Sequence, residues 1–383
     1  MGPRPGVRDD GRRSADRGDV HSLCHDAAMD AETRARRDAC RTFVHADGPV
    51  RPAELLARIP PDVEADVYGD GGVVAELEEH VATLLGRPAA VFLPSGTMAQ
   101  GAVLRVHAAT RSSSTVLWHP LCHLEVHELH AHSRLHGLVG RPVGTPERLV
   151  TLEDLEAVAE PFAALLLELP QRDLGGRLPD WEDVLAQVAW ARGRGAAAHL
   201  DGARLWEAAS GYGMSPAEVC APFDSVYVSF YKGVGALAGC CVAGDEALVA
   251  QVREWRTRLG GTLHGLWPAA ATALAMLPER LAAMPRRLDH ARAVAAALDG
   301  VPGVRVSPPV PQTPMMHLFL DTTTDAFEAA SRRLAEDDGV WTWARAMATT
   351  DPGVVRVELA VGSATLMLEP ARIAALVGAL VDS

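Results

Sequence analysis

The sequence predicts an α/β protein in which a large domain with a mostly parallel β-sheet is followed by a smaller α+β domain. Up to about residue 253, short continuous apolar runs alternate with amphipathic helical patterns, as in parallel strands that are buried on both faces. Beyond that residue, long Ala- and Leu-rich helical patterns dominate. Polar, glycine-containing motifs directly follow several apolar runs, at the strand ends where an open α/β sheet binds its ligands.

Hydrophobic periodicity, together with Gly and Pro at the boundaries, locates the individual elements. Between residues 31 and 58, two short helical patterns are interrupted by Gly and Pro. In the large domain we predict strands at 89–93, 115–118, 163–167, 196–200, 225–230 and 239–243. Helices are predicted there at 73–85, 97–107 and 181–194, and after a capping box that begins at Thr151. In the small domain we predict helices at 266–277, 285–298, 326–335 and 370–381, and strands at 304–306, 315–320 and 354–359.

Composition divides the chain into three parts. Residues 1–30 are polar and aperiodic, and are predicted to form a disordered extension. Residues 31–255 contain an N-terminal segment and the large domain, and residues 256–383 form the small C-terminal domain.

Charge and hydropathy exclude several kinds of partner. A net charge of −13 leaves no basic footprint for nucleic acid. No apolar run reaches the roughly 20 residues that cross a bilayer, and the N-terminus lacks the apolar segment of a secretory signal. The six cysteines show no CxxC spacing, which indicates reduced thiols. We therefore expect a cytoplasmic protein that binds neither nucleic acid nor membrane.

One residue count points to chemistry. Of the 36 basic residues, only Lys232 is a lysine. A sequence that uses arginine wherever a positive charge is wanted retains a lysine where it needs a primary amine. Such an amine can attack a carbonyl carbon once it is deprotonated, whereas a guanidinium stays charged.

Three motifs follow predicted strands and together suit pyridoxal phosphate (PLP). Pro94-Ser95-Gly96-Thr97 opens a helix and could hold a phosphate, although it could equally be an ordinary helix N-cap. Asp201 ends a strand, and Lys232 ends the next one, so both should face one crevice. PLP requires an amine, a carboxylate at its pyridine nitrogen and a phosphate cradle, and the three motifs supply these groups.

The chain resembles the threonine aldolase/β-eliminating lyase family of fold-type I PLP-dependent enzymes, from about residue 60 to near the C-terminus. The matching stretches are Asp66-Val67-Tyr68-Gly69-Asp70, Leu93–Ala99, His199–Arg204, Lys232-Gly233-Val234-Gly235 and Gly260-Gly261. The resemblance implies a fold-type I PLP-dependent transferase-like large domain. It also implies that Lys232 carries PLP as a Schiff base, that Asp201 pairs with the pyridinium, and that His123 stacks on the ring.

The same resemblance implies how cofactor and substrate are bound. Ser95, Gly96 and Thr97 match the residues that hold the phosphate, while Arg204 and Arg356 match arginines near the cofactor and the substrate carboxylate. Arg356 alternates with apolar residues on a strand, so that it could also face solvent. Members of the family share sites between subunits, which implies a homodimer or homotetramer.

The substrate side departs from the family pattern. Gln171 stands where the family commonly has the histidine that handles the substrate's β-hydroxyl, and Gln cannot act as a general base. Glu168, His127 or an ordered water are then the candidate bases, and Glu168 and Gln171 are expected to contact substrate. Tyr231 replaces the usual serine before the lysine, and His264 occupies an arginine position. A metal bound by His123 and His127 is not expected, because no carboxylate or cysteine completes the ligand set at the usual spacing.

The predicted activity is a PLP-dependent lyase that cleaves a β-hydroxy-α-amino acid to glycine and an aldehyde by a retro-aldol reaction. Two alternatives remain open within PLP chemistry, namely β-elimination or dehydration, and transfer of a glycyl unit to another aldehyde. A non-catalytic PLP-binding scaffold is a further alternative. The sequence leaves open which amino acid is used, with which stereochemistry, and whether the assembly is a dimer or a tetramer.

Overall fold

A computed structural model describes residues 29–381 of the chain. The predicted N-terminal extension, up to residue 28, lies outside the described residues. The strands are β1 Thr42–Phe43, β2 Ala89–Leu93, β3 Thr115–Trp118, β4 Val139–Pro142, β5 Ala164–Glu168, β6 Ala197–Gly202, β7 Ser225–Ser229, β8 Cys240–Gly244, β9 Val304–Ser307, β10 Met315–Leu320, β11 Val340–Trp341, β12 Met347–Ala348 and β13 Val355–Ala360. The helices are α1 Ala31–Ala39, α2 Pro52–Leu56, α3 Gly72–Leu84, α4 Gly96–Arg111, α5 His123–Val126, α6 Ala131–His136, α7 Leu152–Glu156, α8 Trp181–Gly193, α9 Leu205–Tyr212, α10 Pro216–Cys220, α11 Glu246–Arg258, α12 Trp267–Leu298, α13 Thr324–Asp338 and α14 Pro370–Gly378.

The large sheet has seven strands in the order β2-β8-β7-β6-β5-β3-β4. Strand β8 runs antiparallel to both of its neighbours, and the other neighbouring pairs are parallel. Every residue of β6, β7 and β8 is buried, because helices cover both faces of the sheet. The predicted α/β fold with a mostly parallel sheet is therefore confirmed.

Strand β4 and helices α9, α10 and α11 were not predicted. The strand lies at the sheet edge and has an exposed to half-buried pattern, so that its sequence contains no continuous apolar run. Edge strands gain most of their stability from pairing with one neighbour, which a local pattern does not reveal.

Two predicted helices, at 266–277 and 285–298, proved to be one. Helix α12 runs without interruption for 32 residues and contains both Pro278 and Pro285. A proline removes a helical hydrogen bond and favours a break, which is why the sequence suggested two elements. The helix continues because its first half packs into the core of the large domain and its last turns pack into the core of the small domain. Burial on both sides of the prolines outweighs their local cost.

The small domain is built around a four-stranded antiparallel sheet in the order β12-β13-β10-β9. Its core includes residues of α12, α13 and α14. Strand β1 pairs in parallel with β11, so that the N-terminal segment lies with this domain. The predicted domain boundary at residue 256 stays a prediction. Within residues 29–381, no helix is long and apolar enough to cross a membrane.

Asp66, in a stretch that the sequence analysis singled out, caps the long helix. Its Oδ1 accepts hydrogen bonds from the amides of Leu266 at 2.8 Å and Trp267 at 2.7 Å, and its Oδ2 accepts from Gly69 at 2.7 Å. The residue is 2% exposed. A buried carboxylate therefore satisfies free amides at the start of α12 and anchors the 66–70 turn to them.

We predict that Asp66→Ala lowers the free energy of unfolding by about 1–3 kcal/mol, because buried amide donors lose their acceptor. Asp70→Ala is the matched control, since Asp70 belongs to the same turn but is exposed, and it should change stability by less than about 0.5 kcal/mol. Urea denaturation followed by circular dichroism measures both. Equal effects of the two substitutions would contradict the capping role.

Candidate active site

The site lies where the carboxyl ends of β5, β6 and β7 meet. Glu168 ends β5 and is paired in register with Asp201 of β6, which is in turn paired with Tyr227 of β7. Lys232 follows β7 after a short turn, and its amide donates to Ser229 Oγ at 3.4 Å. Because neighbouring strands lie only about 4.8 Å apart, the sheet brings two carboxylates and the lysine into one crevice.

Lys232 is half-buried, and desolvation of its amine lowers the pKa of that amine. The nearby carboxylate of Asp201 opposes that shift, while the positive charges of Arg204 and Arg172 add to it. A lowered pKa increases the fraction of neutral amine, which is the form that attacks a carbonyl carbon.

Asp201 is 2% exposed, and its Oδ1 accepts one hydrogen bond, from the amide of Ala203 at 3.0 Å. Burial raises the pKa of this carboxyl group, while Lys232 and the Ala203 amide act in the opposite direction. A buried carboxylate of this kind is stabilised in its ionised form by a cation placed against it. A protonated pyridine nitrogen is such a cation.

The Ser95-Gly96-Thr97 segment forms the amino end of α4. Ser95 is the N-cap, and its Oγ accepts from the amide of Met98 at 3.4 Å. Ser95 and Thr97 are exposed, whereas Gly96 is buried. A Cβ at Gly96 would lie 2.3 Å from the hydroxyl oxygen of Tyr227, so that glycine is required for this close approach. The free amides of the helix end, with two hydroxyl groups beside them, suit a phosphate.

His123 begins α5, and its amide donates to Glu168 Oε2 at 3.3 Å. Burial first, and then the positive charge of Lys232, lower the pKa of its ring to about 3. The imidazole is therefore neutral at physiological pH. Its ring lies 5.1 Å from that of His127, at an angle of 53°.

Glu128 is a site residue that the sequence analysis missed. Its Oε1 lies 3.9 Å from His123 Nε2, and its side chain is 4% exposed. Burial raises its pKa to about 7, in spite of a hydrogen bond with the side chain of Thr97 and the charge of Lys232. Glu128 thus links the amino end of α4 to the histidine expected to stack on the cofactor.

Glu168 and Gln171 contact each other. The amide nitrogen of Gln171 donates to Glu168 Oε2 and to the carbonyl oxygen of Leu121, both at 3.1 Å. Glu168 also accepts from the amides of His123 and Arg172, at 3.3 and 3.1 Å. Burial and the neighbouring charges of Asp201 and Asp173 nevertheless raise its pKa to about 8. At neutral pH this carboxyl group is mostly protonated.

A second charged cluster lies toward the small domain. Glu358 on β13 accepts from Arg172 Nε at 2.8 Å and from a terminal nitrogen of Arg204 at 3.5 Å. Burial opposes ionisation of Glu358, but the charges of Arg172, Arg204 and His317 outweigh it and lower its pKa to about 2.

Arg356 is half-buried. It lies on the same face of β13 as Glu358, because Val355, Val357 and Leu359 are buried on the opposite face. Its charge lowers the pKa of Asp173 and of His317, and a terminal nitrogen lies 3.2 Å from Met347 Sδ. Arg356 therefore faces the charged cluster rather than open solvent.

The residues present fit PLP. A buried amine, a buried carboxylate and the amino end of a long helix converge on one crevice, and Nε of Arg204 is buried there without a hydrogen-bond partner. An anionic ligand would satisfy that donor. Residues 29–381 contain no group of three or more His, Cys, Asp or Glu side chains placed to hold a metal ion.

Four site residues could have been found from local signals. Glu358 stands two positions after Arg356 on a predicted strand, so that both must share one face. Arg172 and Asp173 directly follow Gln171, and Glu128 directly follows His127. Their ion pairs, however, join segments that are far apart in the chain.

Comparison with known proteins agrees with this geometry. The beta-eliminating lyase family matches residues 57–321, which is more than half of the chain. A low-specificity L-threonine aldolase from Arabidopsis thaliana is 28% identical over 78% of this chain and 86% of its own length. An aldolase from Penicillium aethiopicum is 32% identical over 76% of this chain and 77% of its own. A crystal structure from Listeria monocytogenes, described as a candidate L-allo-threonine aldolase, is 34% identical with a TM-score of 0.86, covering 91% of this chain and 98% of its own.

The fold and the lysine–carboxylate crevice define a PLP-dependent lyase of fold type I. The chain belongs to the threonine aldolase/β-eliminating lyase family, which confirms the resemblance seen in its sequence. It is a threonine-aldolase-like enzyme, and PLP is its cofactor.

We predict that the raised pKa of Glu168 makes the cofactor-free protein lose stability as pH rises. Its carboxyl group is protonated in the folded state up to about pH 8 but ionises near its ordinary value of 4.5 when unfolded. Between these values the folded state binds more protons, so the free energy of unfolding falls with pH and levels off above 8. Urea denaturation from pH 5 to 9 measures this slope.

Glu168→Gln removes the titrating group, and the slope should therefore become shallower. Glu182→Gln, on the exposed first turn of α8, is the matched control and should leave the slope unchanged. A Glu168→Gln protein with the full wild-type slope would show that another group titrates in this range.

Proposed function

We propose that this enzyme cleaves a β-hydroxy-α-amino acid to glycine and an aldehyde by a retro-aldol reaction. The observation that carries the proposal is the convergence of Lys232, Asp201 and His123 at one sheet edge, in a chain similar to proteins described as threonine aldolases. When bound, PLP withdraws electrons from the α-carbon of an amino acid.

The residues of the chain have the following proposed roles. Lys232 would hold the aldehyde carbon of the cofactor through its amine. Asp201 keeps the pyridine nitrogen protonated, because its buried carboxylate favours an adjacent cation. His123, neutral and next to Glu128, stacks on the ring.

Cofactor phosphate and substrate carboxylate bind at opposite ends of the site in this proposal. Ser95, Gly96 and Thr97 hold the phosphate at the amino end of α4. Arg356 holds the substrate carboxylate. Two observations support this role: Arg356 lies beside the Glu358 cluster, and it has no carboxylate partner within residues 29–381. Arg204 contacts Glu358 and has a buried Nε without a hydrogen-bond partner.

One observation favours a second candidate reaction. Gln171, which replaces the histidine expected at the β-hydroxyl, turns its amide to Glu168 and Leu121 rather than remaining free. A site without a base at that position is compatible with β-elimination, which releases ammonia and a keto acid instead of glycine.

We also propose that the enzyme works in the cytoplasm as a homodimer or homotetramer. The described cysteines are all free and buried, in keeping with a reducing compartment. Tyr68 and Leu263 both expose apolar surface. They lie near one another, because Tyr68 contacts His264, the residue after Leu263. Such exposed apolar surface is expected of a subunit interface.

We predict that the PLP-loaded protein releases glycine and the corresponding aldehyde from at least one of threonine, allo-threonine and phenylserine. Lys232→Arg serves as the matched control and should release neither, because a guanidinium cannot condense with an aldehyde. Chromatography of glycine, with enzymatic assays of aldehyde and ammonia, distinguishes the candidates. Ammonia without glycine would favour β-elimination, and no product from any substrate would refute the aldolase assignment.

We predict that Arg356→Gln raises KM for the amino acid about 10- to 100-fold, because a hydrogen bond between charged groups contributes roughly 1.5–3 kcal/mol. PLP affinity, measured by absorbance titration, should stay unchanged, since Arg356 lies away from the phosphate cradle. Arg333→Gln, on the exposed face of α13, is the control and should alter neither quantity. A normal KM in Arg356→Gln would place the carboxylate site elsewhere.

A further inference from the structure

A histidine–aspartate pair lies beside the ring-stacking position. His127 follows α5, and its amide donates to the carbonyl oxygen of His123 at 2.9 Å, one helical turn earlier. The two rings are therefore neighbours, with 5.1 Å between their centres. Asp173 lies in the turn after Gln171, and its Oδ2 is 2.7 Å from His127 Nε2. A short hydrogen bond thus joins two side chains that are 46 positions apart in the chain.

The pair has a defined protonation pattern. Burial disfavours ionisation of Asp173, but its hydrogen bond with His127 and the charges of His127, Arg172 and Arg356 outweigh burial and lower its pKa to about 2. An ionised carboxylate can only accept, so Nε2 of His127 must carry the proton. In the neutral form of the ring, Nδ1 is then the proton acceptor, as in other catalytic sites where a carboxylate orients a histidine.

The other candidate bases are poorly suited. Glu168 has hydrogen bonds from three N–H donors and a pKa raised to about 8, so that it is mostly protonated at neutral pH. His123 has a pKa lowered to about 3, which makes it a weak base. Gln171 cannot accept a proton, and its amide nitrogen is already used.

We propose that His127, oriented by Asp173, is the general base for the β-hydroxyl group, in place of the histidine that Gln171 replaces. This inference rests on the proposed retro-aldol function. Nδ1 takes the hydroxyl proton, the oxygen's electron pair forms the aldehyde C=O bond, and the Cα–Cβ bond breaks. The electron pair of that bond remains with Cα, which takes up a proton to give glycine. No oxidant or further reactant is required.

The test compares two reactions of the PLP-loaded enzyme. Exchange of the α-proton of glycine in deuterium oxide involves no β-hydroxyl group, whereas aldol cleavage does. His127→Asn should lower kcat/KM for cleavage by about 10²–10⁴-fold and leave glycine exchange and the absorbance titration of PLP unchanged. Asp173→Asn should lower kcat/KM for cleavage by about 10-fold or more, because the amide no longer fixes which ring nitrogen of His127 carries the proton.

His130→Asn is the matched control. His130 lies three residues along the same segment, is exposed, and has a left-handed backbone that Asn accepts readily, so cleavage should be unchanged. A readout independent of activity is the ¹⁵N NMR spectrum of the His127 ring in cofactor-free protein. It should report the tautomer protonated at Nε2, and this preference should weaken in Asp173→Asn.

The outcomes separate the two proposals. If the wild-type enzyme forms no glycine from any substrate, the retro-aldol function fails, and this inference fails with it. If wild type cleaves and His127→Asn cleaves equally well, only the inference fails. A parallel loss of cleavage, glycine exchange and PLP binding in His127→Asn would assign the histidine a structural role and also overturn the inference.

Discussion

The site depends on burying an amine and a carboxylate together at neighbouring strand ends. Burial lowers the pKa of Lys232 and raises that of Asp201, and each residue partly offsets the shift of the other. Neither group is fully compensated by the protein alone. In the proposed roles, a cofactor with an aldehyde and a basic pyridine nitrogen would supply what both lack, since the amine would hold the aldehyde carbon and the carboxylate would face the protonated nitrogen. The parallel sheet is the scaffold that holds these two groups side by side.

Around this pair, carboxyl groups that are largely shielded from solvent differ in protonation according to their neighbours. Glu358 and Asp173 contact arginines or a histidine, and their pKa values fall to about 2. Burial raises the pKa values of Glu168 and Glu128 to about 8 and 7, in spite of the opposing charge of Lys232. Nearby charge therefore outweighs desolvation at the first two positions, and desolvation prevails at the other two. The site consequently combines ionised carboxylates, arginines and the mostly protonated carboxyl group of Glu168.

The small domain reaches the candidate site through β13. Arg356 and Glu358 extend from that strand toward Arg172, Asp173 and Arg204 of the large domain. Helix α12 connects the cores of both domains without a break, and Asp66 caps its first turn. The position of the proposed substrate-binding groups relative to Lys232 and Asp201 therefore depends on packing along the whole length of this helix.

The sequence by itself determined the fold class, most strand positions, and the lysine and aspartate that meet in one crevice, because apolar runs and the motifs that follow them are local signals. The single lysine also directed attention to the reactive amine. Only the tertiary structure decided that α12 is continuous, that Arg356 faces the charged cluster, and that His127 pairs with Asp173. Burial and charge at these positions come from segments distant in the chain, and a local pattern contains no information about such neighbours.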